Sequence, residues 1–191
     1  MPQPLKIALI MGSTREGRFC DTIAAWARRE IESRAEFSLD LIDPLELNLP
    51  QRQGAEDTPS QKALQRRIDA ADAYVVITPE YNHSFPAPLK QLIDTAYEEW
   101  QAKPVAFIGY GGFAGGARAI EQLRQVFAEL QTVTLRDAVC FANAWEKFDA
   151  EGHLLAPYRA RKSMATMLTR LAWWARALRE ARLAQTFPMS A

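Results

Sequence analysis

Several things are scarce in this sequence, and each scarcity excludes a class of function. There are two cysteines and two histidines in 191 residues. Cys20 and Cys140 form neither a disulfide framework nor a CxxC metal pair. His83 and His153 lie far apart and pair with no cysteine at ligand spacing, so no metal centre is expected. Charge of one sign is also missing: 23 Lys and Arg balance 23 Asp and Glu. A chain without an overall positive field is not built as a nucleic-acid binder. No apolar run approaches the ~18 residues of a membrane span. The first ten residues lack the apolar core and small-residue cleavage site of a signal peptide. These absences lead to the expectation of a reduced, cytoplasmic protein with no membrane and no nucleic-acid partner. Neither repeats nor low-complexity tracts occur.

What is present is ordinary in amount and informative in order. The chain is 48% hydrophobic and 24% charged, and at this length roughly 70% of the unfolded surface can be buried. One domain over residues 1–191 is expected. Strand-length apolar runs alternate with segments of helical period. Leu5 to Met11 reads as a buried strand, followed by a helix over about Phe19 to Arg34. Phe37 to Ile42 alternates apolar and polar and stops at Asp43-Pro44. Ser60 can cap a helix to about Ala71. Ala73 to Thr78 is a β-branched strand ended by Pro79. Helical period then runs over Pro86 to Trp100 and Gly116 to Leu130, with strands at Lys103 to Tyr110 and Thr132 to Phe141. A loop covers Ala142 to Pro157, and a long helix closes the chain from Tyr158 to Gln185. This alternation predicts a parallel sheet with helices on both faces. By analogy with other five-stranded doubly wound sheets, the order is 2-1-3-4-5.

In such a sheet ligands bind beyond the carboxyl ends of the strands, where the order reverses, here between strands 1 and 3. The three loops at that crevice are the most unusual stretches in the chain. Gly12-Ser13-Thr14-Arg15-Glu16-Gly17-Arg18 leaves a strand and opens a helix, bringing two hydroxyls, two guanidiniums and helix N–H groups to one place. That suits a phosphate monoester, although the stretch is neither a P-loop nor a GxGxxG turn. Thr78 to Pro86 carries two aromatics and two prolines, a stiff wall for a flat heterocycle, with Ser84 as a cap for the next helix. His83 within it has no serine or carboxylate set around it that would make it a general base. Gly109 to Arg118 holds five of the chain's nine glycines, which permit close approach of a ligand to backbone. Cys20 stands on the first turn of helix 1 and reads as structural; Cys140 lies in the last strand and reads as core.

Together these loops resemble the NADPH-dependent FMN reductase family, whose fold is flavodoxin-like and whose members include quinone, chromate and azo-dye reductases. Gly12-Ser13-Thr14-Arg15 is similar to its phosphate loop. Pro79-Glu80-Tyr81-Asn82-His83-Ser84-Phe85-Pro86, with Leu89-Lys90 and Ile93-Asp94 after it, resembles the family's most diagnostic motif. Gly111-Gly112 and Gly115-Gly116 before Arg118 resemble its third loop. The resemblance implies that Ser13 and Arg15 bind the FMN phosphate, and that Pro79, Glu80, Tyr81, Asn82, Gly111 and Gly112 hold the isoalloxazine. Many members carry Ser and Asn where this chain has Arg18 and Cys20, so Arg18 or Thr22 is expected to complete the phosphate cradle. The implied reaction is ping-pong hydride transfer through flavin N5, with NADPH or NADH as donor. Quinones, FMN, chromate or azo compounds are the implied acceptors. Such chemistry is the cofactor's and needs no catalytic side chain.

Two other readings compete: a flavodoxin-like electron carrier without NAD(P)H turnover, and a phosphate-binding module without flavin. Carriers usually present an acidic docking surface, and this chain is neutral. The closing helix raises a third point. Tyr158 to Arg182 holds seven Lys and Arg and one Glu, a charge pattern that can lie on a membrane. Met164, Met167, Leu168, Leu171, Trp174 and Leu178 share one face, which predicts core packing instead. Trp173 falls ~900° beyond Met164, on the opposite face. That outward tryptophan, with Tyr97 and Trp100 placed near the flavin edge, predicts a homodimer or tetramer.

Overall fold

The computed structural model describes residues 3–52 and 54–188. Its elements follow the predicted alternation: β1 Leu5–Met11, α1 Cys20–Glu32, β2 Phe37–Ile42, α2 Pro59–Asp69, β3 Ala73–Pro79, α3 Ala87–Ile93, β4 Pro104–Gly111, α4 Ala117–Glu129, β5 Val133–Ala142 and α5 Pro157–Ala184. All pairings are parallel, and the order is β2-β1-β3-β4-β5, as the sequence predicts. Period-2 alternation divides the buried residues between two layers. Ile7, Leu9, Val75, Ile77 and Ile108 face α1 and α5, whereas Ala8, Ile10, Val76 and Phe107 face α2, α3 and α4. The central strands β1, β3 and β4 are buried on both faces, and the edges β2 and β5 only in part.

Four local expectations need correction. First, Thr58, not Ser60, caps α2: its side chain accepts the Gln61 N–H while the Gln61 side chain returns to the Thr58 N–H. Pro59 follows at the first helical position, where its missing N–H costs nothing.

Second, the helix over Pro86 to Trp100 stops at Ile93, and a short 3-10 turn follows at Glu98–Trp100. The indole N–H of Trp100 folds back to donate to the carbonyls of Ile93 and Ala96, both at 3.1 Å, which satisfies the early helix end. Trp100 stacks edge-on against Tyr74 and Phe127, at the amino ends of the strands. Tyr97 and Trp100 are therefore at the opposite end of the sheet from the crevice.

Third, Cys140 is exposed rather than core. Val139 and Phe141 take the inward positions of β5, so residue 140 falls on the other face of an edge strand.

Fourth, Trp174 and Leu178 leave the buried stripe of α5, and Ala172 and Ala175 take their place. Trp173 does face outward, 62% exposed, in an edge-on pair with Trp174.

The basic side chains of α5 reach back onto the domain. Arg161 pairs with Glu30, Arg170 with Asp137, Arg176 with Glu36, and Arg179 and Arg182 with Asp72. The charge that suggested a membrane surface thus complements acidic groups of α1, the strands and their connections, while Met164, Met167, Leu168 and Leu171 enter the core. No helix among the described residues is long and apolar enough to cross a membrane.

Candidate active site

The carboxyl ends of β1, β3 and β4 bring the three loops together. Gly12 makes this possible. A Cβ there would stand 2.4 Å from the Ile77 carbonyl oxygen, so only glycine lets β1 leave the sheet against β3. Ser13 is fully buried. Its Oγ lies 3.1 Å from the Tyr81 hydroxyl, which joins the first loop to the second. The Arg15 N–H donates to Ser13 Oγ at 3.4 Å. Arg15 is exposed, with its guanidinium carbon 4.4 Å from the centroid of the Tyr81 ring. No side chain caps the N-terminus of α1.

Of the two candidates for completing the phosphate cradle, Arg18 has protein partners and Thr22 has a methyl contact. Thr22 turns its methyl toward Gly152 of the loop before α5. Arg18 points inward to Asp43 and the Ser13 carbonyl and also bonds the exposed Asp21. Cys20 is buried beneath the loop, and burial pushes its thiol up to about 11, so it stays protonated and structural at neutral pH.

The second loop is a tight turn. The backbones of Tyr81 and Ser84 exchange hydrogen bonds at 2.9 and 3.0 Å. Asn82 and His83 between them both have positive φ, 50° and 66°. Left-handed geometry at two consecutive non-glycine residues is strained and needs support from outside. Gln122 of α4 supplies it: its Nε2 donates to the His83 carbonyl at 2.8 Å, and its Oε1 accepts from Ser84 Oγ at 2.6 Å. Ser84 is thus a latch and not a helix cap; Pro86 holds the cap position of α3. The His83 ring hydrogen-bonds no side chain among the described residues.

Glu80 joins the second loop to the third. Its N–H donates to the Tyr110 carbonyl at 3.0 Å. Its carboxylate accepts from the Arg118 backbone N–H at 3.2 Å and the Arg118 guanidinium at 2.7 Å. The side chain that the family motif assigns to the ligand is therefore anchored on the first turn of α4, and Pro79 is paired with Tyr110 at the end of the sheet. Gly116, at φ 88°, lies so close to β4 that a Cβ would meet the Tyr110 nitrogen at 2.5 Å. Gly111 is half-buried and Gly112 exposed, with Trp145 alongside Gly112.

One buried polar atom is left over at the centre of this arrangement. Among the described residues the Tyr110 hydroxyl completes no hydrogen bond of good geometry, although the residue is 6% exposed and the Cys20 thiol and Ser13 are its polar neighbours. It lies close to Cys20, Tyr81 and Ser13, and burial pushes its phenol well above the usual range. A buried hydroxyl without an acceptor is costly and calls for a partner outside the chain. An apolar cleft of about 470 Å³ lies away from the loops, between residues 139–142 of β5 and 159–163 of α5. No three His, Cys, Asp or Glu gather as metal ligands among the described residues.

Sequence reasoning found the three loops and missed what holds them: Asp43, Gln122 and the use of Arg118 as an anchor for Glu80. Each lies on an element remote in sequence from the loop it supports, and no local motif marks it.

Comparison with known proteins agrees with this architecture. The family model for NADPH-dependent FMN reductase matches residues 5–146. The chain is 33% identical over 145 residues to the NAD(P)H-dependent FMN reductase LOT6 of Saccharomyces cerevisiae, covering 66% of this chain and 75% of that protein. It is 33% identical over 180 residues to a 2-hydroxy-1,4-benzoquinone reductase of a Burkholderia species, covering 90% of this chain and 97% of that one. In fold it is similar to FerB, a flavoenzyme NAD(P)H:(acceptor) oxidoreductase of Paracoccus denitrificans, with a TM-score of 0.74 at 24% identity over 91% of this chain and 98% of that one. On the family match and the strand order together, this chain belongs to the NADPH-dependent FMN reductase family, as an oxidoreductase that works with FMN and NAD(P)H.

Proposed function

We propose that this oxidoreductase seats FMN across the ends of β1, β3 and β4 and passes reducing equivalents from NAD(P)H to quinones and similar planar acceptors. The observation that carries the reading is the orphaned Tyr110 hydroxyl beneath a loop with a buried Ser13 and an uncapped helix N-terminus. A phosphorylated polyol supplies acceptor oxygens to all three, so the residues present fit FMN. In this reading Ser13, Arg15 and the backbone of residues 13–17 hold the phosphate. The 79–82 and 111–112 segments present backbone to the edge of the ring system, and Tyr81 keeps the two ends of the site in register through Ser13.

Bound there, FMN supplies hydride acceptance and donation, which explains the absence of an acid–base pair. The protein's part is to hold and to exclude water. Gln122 and Arg118 fix the strained turn and the glycine loop from below. Phe113, Trp145 and Tyr81 stand around the mouth; Phe113 is 92% exposed and Trp145 60%. These aromatic faces suit a flat, apolar acceptor better than a small hydrated ion. Quinone as acceptor is also the substrate named for the Burkholderia relative.

A ping-pong scheme follows if donor and acceptor use one place in turn. Steady-state rates varied over both NADPH and a benzoquinone should give parallel double-reciprocal lines. Intersecting lines would reject a shared place, and turnover no faster than that of free FMN would reject the enzyme and leave the electron-carrier reading.

Self-association as a homodimer or tetramer belongs to the same reading, with Trp173 as its anchor. A tryptophan 62% exposed on α5 beside arginines has the composition of an interface. Sedimentation equilibrium at micromolar concentration should give a mass above the 21.5 kDa chain. A single species at that mass would end the oligomer proposal, and a dimer indifferent to Trp173→Ala would reject this residue as its anchor. A cytoplasmic setting without a nucleic-acid partner belongs to the same reading, in keeping with a net charge of zero.

A further inference from the structure

Arg18 closes the first loop, and its surroundings give it a task of its own. Its side chain is 6% exposed although it belongs to the first loop. Its terminal nitrogens bond inward, and its Nε reaches the exposed Asp21. Nη1 donates to the Ser13 carbonyl at 2.5 Å and to Asp43 Oδ1 at 2.8 Å. Nη2 donates to Asp43 Oδ2 at 2.5 Å, and Nε to Asp21 Oδ1 at 2.9 Å. Asp43, 12% exposed, also accepts the Leu45 N–H at 2.9 Å. The guanidinium therefore bolts together three segments: the loop after β1, the first turn of α1 and the turn after β2. Two carboxylates surround one cation, so the group has no net positive charge left for an anion. By contrast, Arg15 makes no ion pair among the described residues and lies open on the Tyr81 ring.

We propose that Arg18 is a positioning residue and not a phosphate ligand: its pair with Asp43 turns the Ser13 carbonyl into the protein, so that the loop presents N–H groups, Ser13 Oγ and Arg15 to the phosphate. A carbonyl oxygen released from this pair would be free to rotate toward the ligand and repel it. The bidentate fork is what fixes the direction, since a lysine at this place would supply charge without orientation. The proposal rests on the FMN reading above and assigns the division of labour within its phosphate loop: Arg15 binds, Arg18 aligns.

The test is a double-mutant cycle read by flavin binding. FMN and riboflavin, which lacks the phosphate, are titrated into apo-protein by flavin fluorescence for the native chain, Arg18→Ala, Asp43→Ala and the double variant. Each single variant should raise the FMN Kd about 10-fold, and the double variant no further, because both remove one device. Riboflavin Kd should stay within about 2-fold, since the phosphate carries the effect. A phosphate-binding Arg18 behaves otherwise: Asp43→Ala would free its charge, and FMN would bind as tightly as before or more so. That result overturns the proposal. So does multiplication of the two single effects to about 100-fold, which would mean that the residues act independently. Equal weakening of FMN and riboflavin overturns it too, because a merely structural pair would act on both. If the alanine variants do not fold, Arg18→Lys and Asp43→Asn repeat the cycle with shape retained and the fork broken, under the same expectations. A native chain that binds neither flavin would remove the FMN reading, and this proposal with it.

Discussion

Replacing Arg15 by alanine removes the one cation of the first loop that is not already paired, and its effect can be worked from the structure. Arg15 is exposed and touches the protein chiefly through the Tyr81 ring, 4.4 Å from its guanidinium carbon. An exposed cation–π contact is worth ~0.5–1 kcal/mol, and it cancels in binding provided the guanidinium keeps its place over the ring. What remains is a hydrogen bond to a charged group, ~1.5–3 kcal/mol. At ~1.36 kcal/mol per decade, the FMN Kd should rise roughly 10- to 160-fold. Riboflavin should bind almost unchanged. The thermal midpoint of apo-protein should fall by no more than ~4 °C, the loss of the ~0.5–1 kcal/mol contact with Tyr81. Arg15→Lys should fall between, keeping charge without the planar fork. Fluorescence titration of apo-protein with each flavin reads all of this. An unchanged FMN Kd, or equal losses for FMN and riboflavin, would take Arg15 out of the phosphate site and refute the reasoning.

Other expectations follow from single contacts. Gln122→Ala breaks both hydrogen bonds that α4 makes to the turn at residues 81–84; at ~0.5–1.5 kcal/mol each, the thermal midpoint should fall by several degrees and flavin affinity several-fold, and unchanged affinity would show that the turn holds itself. Gly116→Ala places a Cβ 2.5 Å from the Tyr110 nitrogen at φ 88°. Left-handed strain and overpacking together cost ~2–5 kcal/mol, so a thermal midpoint unchanged by this variant would contradict the backbone described. Acid should destabilise the fold through Asp40 and Asp43. Arg67 hydrogen-bonds Asp40 and holds its carboxyl below the usual range, against the opposing effect of burial. For Asp43 burial is the largest influence and opposes ionisation, but Arg18 and the Leu45 N–H outweigh it and hold the group low as well. A carboxylate whose folded pKa is depressed stabilises fully above its unfolded value of about 3.9 and loses that contribution as pH falls through the folded value. Thermal midpoints should therefore fall steeply below about pH 4, and Asp40→Asn should flatten the curve; an identical slope would exclude Asp40.

The sheet was legible because its central strands are short apolar runs, and the first four strands are ended by Gly, Pro or Asp-Pro. Ala73 to Thr78 can hardly be anything else when flanked by helical period. The candidate site was legible for a related reason: a sheet of this order has one switch point, and the odd residues Gly12 to Arg18, Tyr81-Asn82 and the glycines from 109 to 116 all map to it. The errors came where periodicity names a face but not a path. Leu89, Leu92, Ile93, Ala96 and Trp100 keep helical spacing, yet the helix ends at Ile93 because the Trp100 indole folds back to satisfy its carbonyls. Cys140 and Trp174 were misplaced for want of knowing how far the neighbouring elements cover β5 and α5. Arg18 shows a different gap: no local motif marks Asp43, at the end of another strand, as the partner of a guanidinium in this loop.

The central claim is that FMN held by these loops is reduced by NAD(P)H and reoxidised by an acceptor. Anaerobic stopped-flow mixing of FMN-loaded protein with NADPH, and separately with NADH, tests it most directly. The account predicts loss of the oxidised-flavin absorbance with at least one donor, faster than for free FMN, and its return on adding a benzoquinone. Absorbance that neither donor bleaches faster than free FMN would contradict it.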